Sequence, residues 1–211
     1  MPSGPVYLPI FPLPDLTFFP HTVLPLHIFE ARYRAMITDC LGRDRRLAVV
    51  ALEPGYESGY AGKPPVKQIA GAGSIVRCQR LATGRFNIVL RGDTRIRIER
   101  EVPTDTLYRI AVATPLTEVG ADRAAVPGLA AGIRRRCLQI FDALSRPTEG
   151  MRESLEAVRS PAELADQVAS AMLPDAKVRQ TLLEELDVER RLEGLTAALD
   201  DLLSRLSGGR G

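Results

Sequence analysis

IVRCQRLATGRFNIVLRGDTRIRIERE, residues 75–101, is the stretch that decides the fold. Its apolar residues recur every second position, as in Arg95-Ile96-Arg97-Ile98-Glu99, which buries one face of a strand and wets the other. Thr83-Gly84 and Gly92-Asp93 fall between the apolar runs, and both pairs suit tight hairpin turns. The stretch therefore predicts three short antiparallel strands. Upstream, LAVVAL (47–52) is a continuous apolar run, the pattern of a strand buried on both faces. VYLPIF and VLPLHIF are apolar runs broken by proline. Proline cannot donate to a ladder, so both are expected at sheet edges or in irregular pairing. YRIAVATPL (108–116) reads as a last strand. Strands at this spacing predict a small barrel or sandwich. One helix, EARYRAMITDCL (30–41), interrupts them, with Ala31, Tyr33, Met36, Ile37, Cys40 and Leu41 towards its apolar face.

Composition changes near residue 118. Twelve of the 16 prolines lie in residues 1–117, which carry 15 basic and 10 acidic groups, a net of +5. Residues 118–211 carry 13 basic and 16 acidic groups, a net of −3. The boundaries expected are thus a β-rich domain over 1–117 and an α-helical bundle over 118–211. In the second segment Ile133, Cys137, Ile140, Phe141 and Leu144 form one helical stripe. Ser160, Pro161 and Glu163 mark a helix start with a capping box. Leu192, Leu195, Leu199, Leu202 and Leu206 recur at spacings of 3 and 4, a short seam that fits a bundle. The same leucines leave a homo-oligomer open.

The 211 residues are 45% hydrophobic and 26% charged, with a net charge of +2, which argues against disorder and gives no bulk drive towards nucleic acid or anionic membrane. The three cysteines, Cys40, Cys78 and Cys137, form no CxxC pair, so a zinc ribbon is excluded and a reducing cytoplasm is expected. No apolar run reaches membrane-spanning length.

Catalytic patterns fail one by one. GYESGYAGKPP (55–65) lacks the first glycine and the hydroxyl of a phosphate loop. His21, His27, Glu30 and Cys40 do not have metal-ligand spacing. There is no GxSxG. Arg134-Arg135-Arg136 fits a solvated helix face. Arg77, Arg91, Arg95 and Arg97 lie on strands where alternation can align some of them, but no aromatic residue interleaves with them for base stacking. No enzyme, metal or cofactor is expected.

Three segments resemble one family. LPIFPLPDLTFFPHTVLPLHIFEARYRAM (8–36) resembles the opening of the Lon-protease N-terminal substrate-binding domain. IAGAGSIVRCQRLATGRFNIVLRGDTRIRI (69–98) resembles its following strands, and SPAELADQVASAMLPDAKVRQTLLEELDVERRLEGL (160–195) its short and long helices. The resemblance runs over roughly residues 6–206. It implies an α+β fold, a PUA-like pseudo-barrel followed by a helical bundle. It implies a stand-alone, non-enzymatic module that binds unfolded or tagged proteins and peptides, with a protease or ATPase as a possible partner. The alternative is an RNA- or nucleotide-binding PUA-like module, favoured by the +5 charge of residues 1–117. A binder of unfolded chains needs exposed apolar or aromatic surface. Phe18 and Phe19 beside Pro20, and Tyr56 and Tyr60 in the Gly-rich loop, are the candidate peptide contacts, weighed against core packing for the first pair and an uninvolved loop for the second.

Overall fold

The computed structural model describes residues 4–59 and 62–208. The chain divides into two compact units, Met1–Thr117 and Glu118–Gly211.

The first unit holds six strands and one helix: β1 (Val6–Leu13), β2 (Val23–Ile28), α1 (Ala31–Leu41), β3 (Arg46–Ala51), β4 (Ile69–Arg80), β5 (Phe86–Val102) and β6 (Arg109–Pro115). The sheet order is β2-β5-β4-β3-β1-β6, and β5 also pairs with β6. Five strands thus close into a barrel, and β2 is added outside the ring on β5. Small and branched residues fill the interior: Leu8, Ile10, Ala48, Val50, Ala70, Ala72, Ile96, Ile98, Ala111 and Ala113. A second core gathers around α1, where Tyr33, Met36, Ile37 and Cys40 meet Phe11, Leu47, Val49, Ile75, Phe86, Ile88 and Leu90. β3 contributes to both cores, which explains its unbroken apolar run.

Of the two expectations for β1, a sheet edge or irregular pairing, closure leaves the second. β1 pairs with β6 over Val6–Ile10 and, in parallel, with β3 over Ile10–Leu13. Pro9 and Pro12 each lie where a ladder runs on one side only, so neither missing N–H breaks a bond on both flanks. β2 is a true edge. The Gly92 N–H donates to the Thr22 carbonyl at 2.8 Å. The same peptide plane turns the Val23 N–H to the open side, and strand alternation places Pro25 there as well, where β5 needs no donor.

The Thr83-Gly84 hairpin forms as expected, with Gly84 at φ +75°. The Gly92-Asp93 turn does not. β5 runs straight through it for 17 residues, and Asp93 is instead the extra residue of a bulge between the pairs Ala72↔Thr94 and Gly73↔Gly92. A bulge bends a strand without ending it. Here it lets one strand serve the barrel with its second half and the β2–β4 extension with its first. The Asp93 carboxylate is held by Ser74 Oγ at 2.5 Å and Arg91 Nε at 3.1 Å.

The second unit is helical: α2 (Val126–Ala143), α3 (Glu149–Ala157), α4 (Pro161–Met172), α5 (Ala176–Glu184) and α6 (Val188–Gly208). Val126, Ala130, Ile133, Cys137 and Ile140 of α2 are buried, as are Leu192, Leu195 and Leu199 of α6. The leucine seam is therefore satisfied inside the bundle over its first three members. Leu144 departs from the expected stripe: the helix ends before it, and it is exposed. Ala31, at the first turn of α1, is exposed too. α3 was not foreseen, because only Leu155 of its residues is buried and the apolar pattern is thin. Ser160 caps α4, accepting from the Glu163 N–H at 3.4 Å. Asp175 caps α5 through the Lys177 and Val178 N–H groups. Arg191 is buried on α6, with its Nη2 2.5 Å from Glu118 Oε1 and its Nε 3.6 Å from Asp166 Oδ1.

Candidate functional site

The extension formed by β2, the first half of β5 and the second half of β4 has one face on the α1 core and one in solvent. The pleat decides which residues lie outside. Leu24, Leu26 and Ile28 of β2, with Phe86, Ile88 and Leu90 of β5, turn inward to the α1 core. Val23, Pro25 and His27, with Asn87, Val89 and Arg91, therefore turn outward.

Register completes the face. Val23 stands opposite Arg91, Pro25 opposite Val89, and His27 opposite Asn87. On the other side of β5, Arg91 stands opposite Ser74, Val89 opposite Arg77, and Asn87 opposite Gln79. Val76 is the extra residue of a bulge between Ile75 and Arg77, and that bulge leaves it exposed. Directly opposed side chains on a sheet face are about 5 Å apart at Cβ, so these residues form one continuous patch.

Its chemistry is apolar and basic. Val23 is 68% exposed, and Phe29, just past the end of β2, is 59% exposed. The Phe29 ring lies 6.3 Å from the His27 ring at 25°, and His27 Nδ1–H donates to Asn87 Oδ1 at 2.7 Å. Pro25 and Val89 form the centre. Arg77 and Arg91 flank it, and the Arg91 side chain is more than half exposed despite its bond to Asp93. The open edge of β2 runs along one side. Such a surface can hold an extended chain by apolar contact, edge hydrogen bonds and charge.

Of the residues singled out in the sequence, Phe18 and Phe19 are buried, at 2% and 0% exposure. Of the two readings weighed for them, peptide contact and core packing, the structure has core packing: the segment carrying them crosses glycines of the sheet. A Cβ on Gly71 would stand 1.8 Å from the Phe18 carbonyl oxygen, and one on Gly92 2.0 Å from that of Phe19. Phe18 joins the α1 core, and the Arg95 guanidinium, itself buried, lies 6.0 Å from the Phe19 ring centre. Tyr56 is half-buried in a short 3-10 turn, Tyr56–Gly59. Tyr60 lies outside the described residues. Of the strand arginines, Arg77 and Arg91 share the outer face, whereas Arg95 is covered. Val23, Pro25 and Phe29 were missed because VLPLHIF is apolar at nearly every position, so alternation cannot say which side is wet.

Other chemistry-bearing groups are arranged for packing. Burial, then Asp44 and Asp39, pushes the Cys40 thiol up to about 12, and burial pushes Cys137 up to about 12. Burial also raises Cys78. Thiols so shifted stay protonated near neutrality and are poor nucleophiles. A cavity of about 270 Å³ beside α1 is lined by Tyr7, Asp39, Arg43, Asp44, Arg46 and Tyr108 among others. The Tyr108 hydroxyl donates to Asp39 Oδ2 at 2.7 Å, and burial together with that bond lifts it to about 12. In the helical unit a cavity of about 390 Å³ is lined in part by Arg134, Arg135 and Arg152. Arg134 is committed to the Leu155 and Val158 carbonyls. Among the described residues no three His, Cys, Asp or Glu side chains gather as metal ligands would, and no helix is long and apolar enough to cross a membrane.

Comparison with known proteins bears on the chain as a whole. The family model described as "ATP-dependent protease La (LON) substrate-binding domain" matches residues 7–201. The Lon protease of Desulfosudis oleivorans is 27% identical over 209 residues, covering 97% of this chain and 25% of that protein. Lon protease 2 of Sorangium cellulosum is 29% identical over 195 residues, covering 88% and 23%. The chain thus spans about a quarter of the length of these relatives. Among solved structures, the N-terminal domain of Mycobacterium avium complex Lon protease superposes with a TM-score of 0.75 at 20% identity, covering 93% of this chain and 99% of that one. The Lon N-terminal domain protein from Xanthomonas campestris gives 0.67 at 23% identity, covering 91% and 98%. At these identities the two structures show a shared fold.

Proposed function

This chain belongs to the family of LON substrate-binding domains, and from that premise we propose that it binds unfolded or tagged polypeptides without acting on them chemically. The observation that carries the reading is the outer face of β2, β5 and β4. It faces solvent, is apolar at the exposed Val23 and Pro25 and the half-buried Val89, and is bordered by an open strand edge. Water-exposed apolar surface joined to an open edge is costly in a folded protein and is the surface a disordered chain can cover. The relatives are named Lon proteases, so a cytoplasmic protease or ATPase is the proposed recipient of what this module holds.

The test is fluorescence anisotropy with a labelled, permanently unfolded protein such as reduced and carboxymethylated casein. Binding is expected, and Val23→Asp should weaken it, because a carboxylate would then enter the apolar row. Incubating casein with the protein, with and without ATP, should yield no fragments. No binding up to about 100 μM, a concentration at which even weak sites register, would sink the reading.

The +5 charge of residues 1–117 and the exposure of Arg77 and Arg91 favour RNA as a second reading. RNA held through phosphate contacts should be lost steeply with added salt. Absence of binding at low salt would remove it.

A further inference from the structure

Resting on the proposal that this face receives polypeptides, we infer that it selects extended segments in which apolar residues are interleaved with aspartate or glutamate, and rejects segments interleaved with lysine or arginine.

The inference comes from the charges around the apolar centre. The nine outer positions related by register are Val23, Pro25 and His27 on β2, Asn87, Val89 and Arg91 on β5, and Ser74, Arg77 and Gln79 on β4. Two are guanidinium groups and none is a carboxylate. Arg77 stands directly across from Val89, and Arg91 directly across from Val23, so two of the three apolar positions face a cation, while Pro25 faces Val89. The Arg77 side chain makes no hydrogen bond or ion pair with the described residues. Arg91 is tied to Asp93, the nearest carboxylate, but Asp93 also accepts from Ser74 Oγ and is only 19% exposed, whereas the Arg91 side chain is 59% exposed. Arg80 and Arg85, at the hairpin end of the same two strands, add exposed positive charge.

Geometry then fixes the spacing of the ligand. Neighbouring strands lie about 4.8 Å apart, and two residues along a strand span about 6.7 Å. An extended chain lying over β2 and β5 turns every second side chain to this face, so with an apolar side chain on Pro25 and Val89 the residues two positions away, on the same side of the chain, come within reach of the long arginine side chains. A carboxylate there meets a guanidinium in the bidentate geometry that arginine favours, whereas an ammonium meets like charge.

The test uses the whole chain and three labelled peptides in which the side chains on one side of the extended peptide are by turns apolar and Glu, Gln or Lys, with Ser at every position between. Anisotropy at about 50 mM salt should rank affinity Glu over Gln over Lys. Two exposed pairs should separate the Glu and Lys peptides about tenfold. The gap should narrow at about 300 mM salt as screening grows. Arg77→Glu with Arg91→Glu should reverse the ranking, and Arg77→Lys with Arg91→Lys should keep it. Arg77→Glu alone should reduce the preference if the double variant fails to give a native circular-dichroism spectrum.

Equal affinity for the Glu and Lys peptides, with both bound, would overturn the charge inference and leave the recognition proposal standing. No binding of any peptide would overturn both. A preference for Glu that survives Arg77→Glu with Arg91→Glu would also overturn the inference. So would tighter binding of single-stranded RNA than of the Glu peptide, or self-association abolished by Val23→Asp, since a second copy would then cover the face.

Discussion

The Phe18 carbonyl oxygen occupies the space a side chain at Gly71 would need, 1.8 Å from the position of its Cβ. Backbone lies on backbone there, so nothing can rotate aside. Gly71→Ala should destabilise the barrel unit by about 3 kcal/mol or prevent folding, through overpacking against an atom that cannot yield. Gly128 is the contrast. It is exposed in the first turn of α2, a Cβ there meets nothing within 4 Å, and Gly128→Ala should stabilise by up to about 1 kcal/mol. Urea unfolding of both variants checks this. A Gly71→Ala protein as stable as the wild type would refute the close approach.

Acid should loosen the helical unit. The hydrogen bonds from Arg136 hold the Asp200 carboxyl below its ordinary range, with Nε–Oδ1 at 2.6 Å and Nη2–Oδ2 at 3.0 Å. The Val178 and Lys177 N–H groups do the same for Asp175. A carboxyl depressed in the folded state contributes fully above its unfolded value near pH 4. Below that the unfolded chain binds protons first, and the contribution is lost as pH falls through the folded value. Asp200 is half exposed, so after solvent screening it contributes about 0.5 kcal/mol. Asp200→Asn should cost that much at pH 7 and progressively less as pH falls below about 4. A constant difference between the two stability curves over that range would contradict the assignment.

Removing Arg191 should cost more. Its side chain is 1% exposed and Asp166 is 0% exposed. Arg191→Met strands buried negative charge, and a loss of about 3–5 kcal/mol is expected. Adding Asp166→Asn should recover part of that loss, because the stranded charge is gone. Denaturant titration of the single and double variants measures the coupling. Strictly additive losses would show that charge is not the cause.

The thiols should be slow. With Cys40 and Cys137 buried and pushed up to about 12, a disulfide reagent at pH 8 should label the native protein gradually and all three cysteines promptly in denaturant. Cys78, the half-buried one, should account for the fastest native phase, and Cys78→Ser should remove it. Fast labelling that persists in Cys78→Ser would refute the burial of the other two.

Strand and helix positions were legible where pattern and burial coincide. LAVVAL reads as doubly buried because its two faces enter two cores, and the stripe of α2 reads as helical because Ile133, Cys137 and Ile140 are all buried. Gly92-Asp93 misled because a turn and a bulge ask for the same residues. Phe18 and Phe19 are ambiguous in the sequence between core and contact because two adjacent large apolar residues carry no periodic signal, and only the structure shows their segment crossing the sheet over Gly71, Gly73 and Gly92. The candidate face was half legible: alternation in FNIVLRG sets Arg91 and Val89 on the side opposite Leu90, but Pro25 and Arg77 join them only through register.

By itself the sequence determined the α+β class, the run of strands followed by helices, and the absence of familiar catalytic motifs, because these rest on local periodicity, proline placement and residue type. Barrel closure, the single bent β5, and the gathering of Val23, Pro25, Val89, Arg77 and Arg91 on one face were decided by the tertiary structure. Those features depend on which strands pair and in what register, and residues more than sixty positions apart have no local pattern that says they will meet.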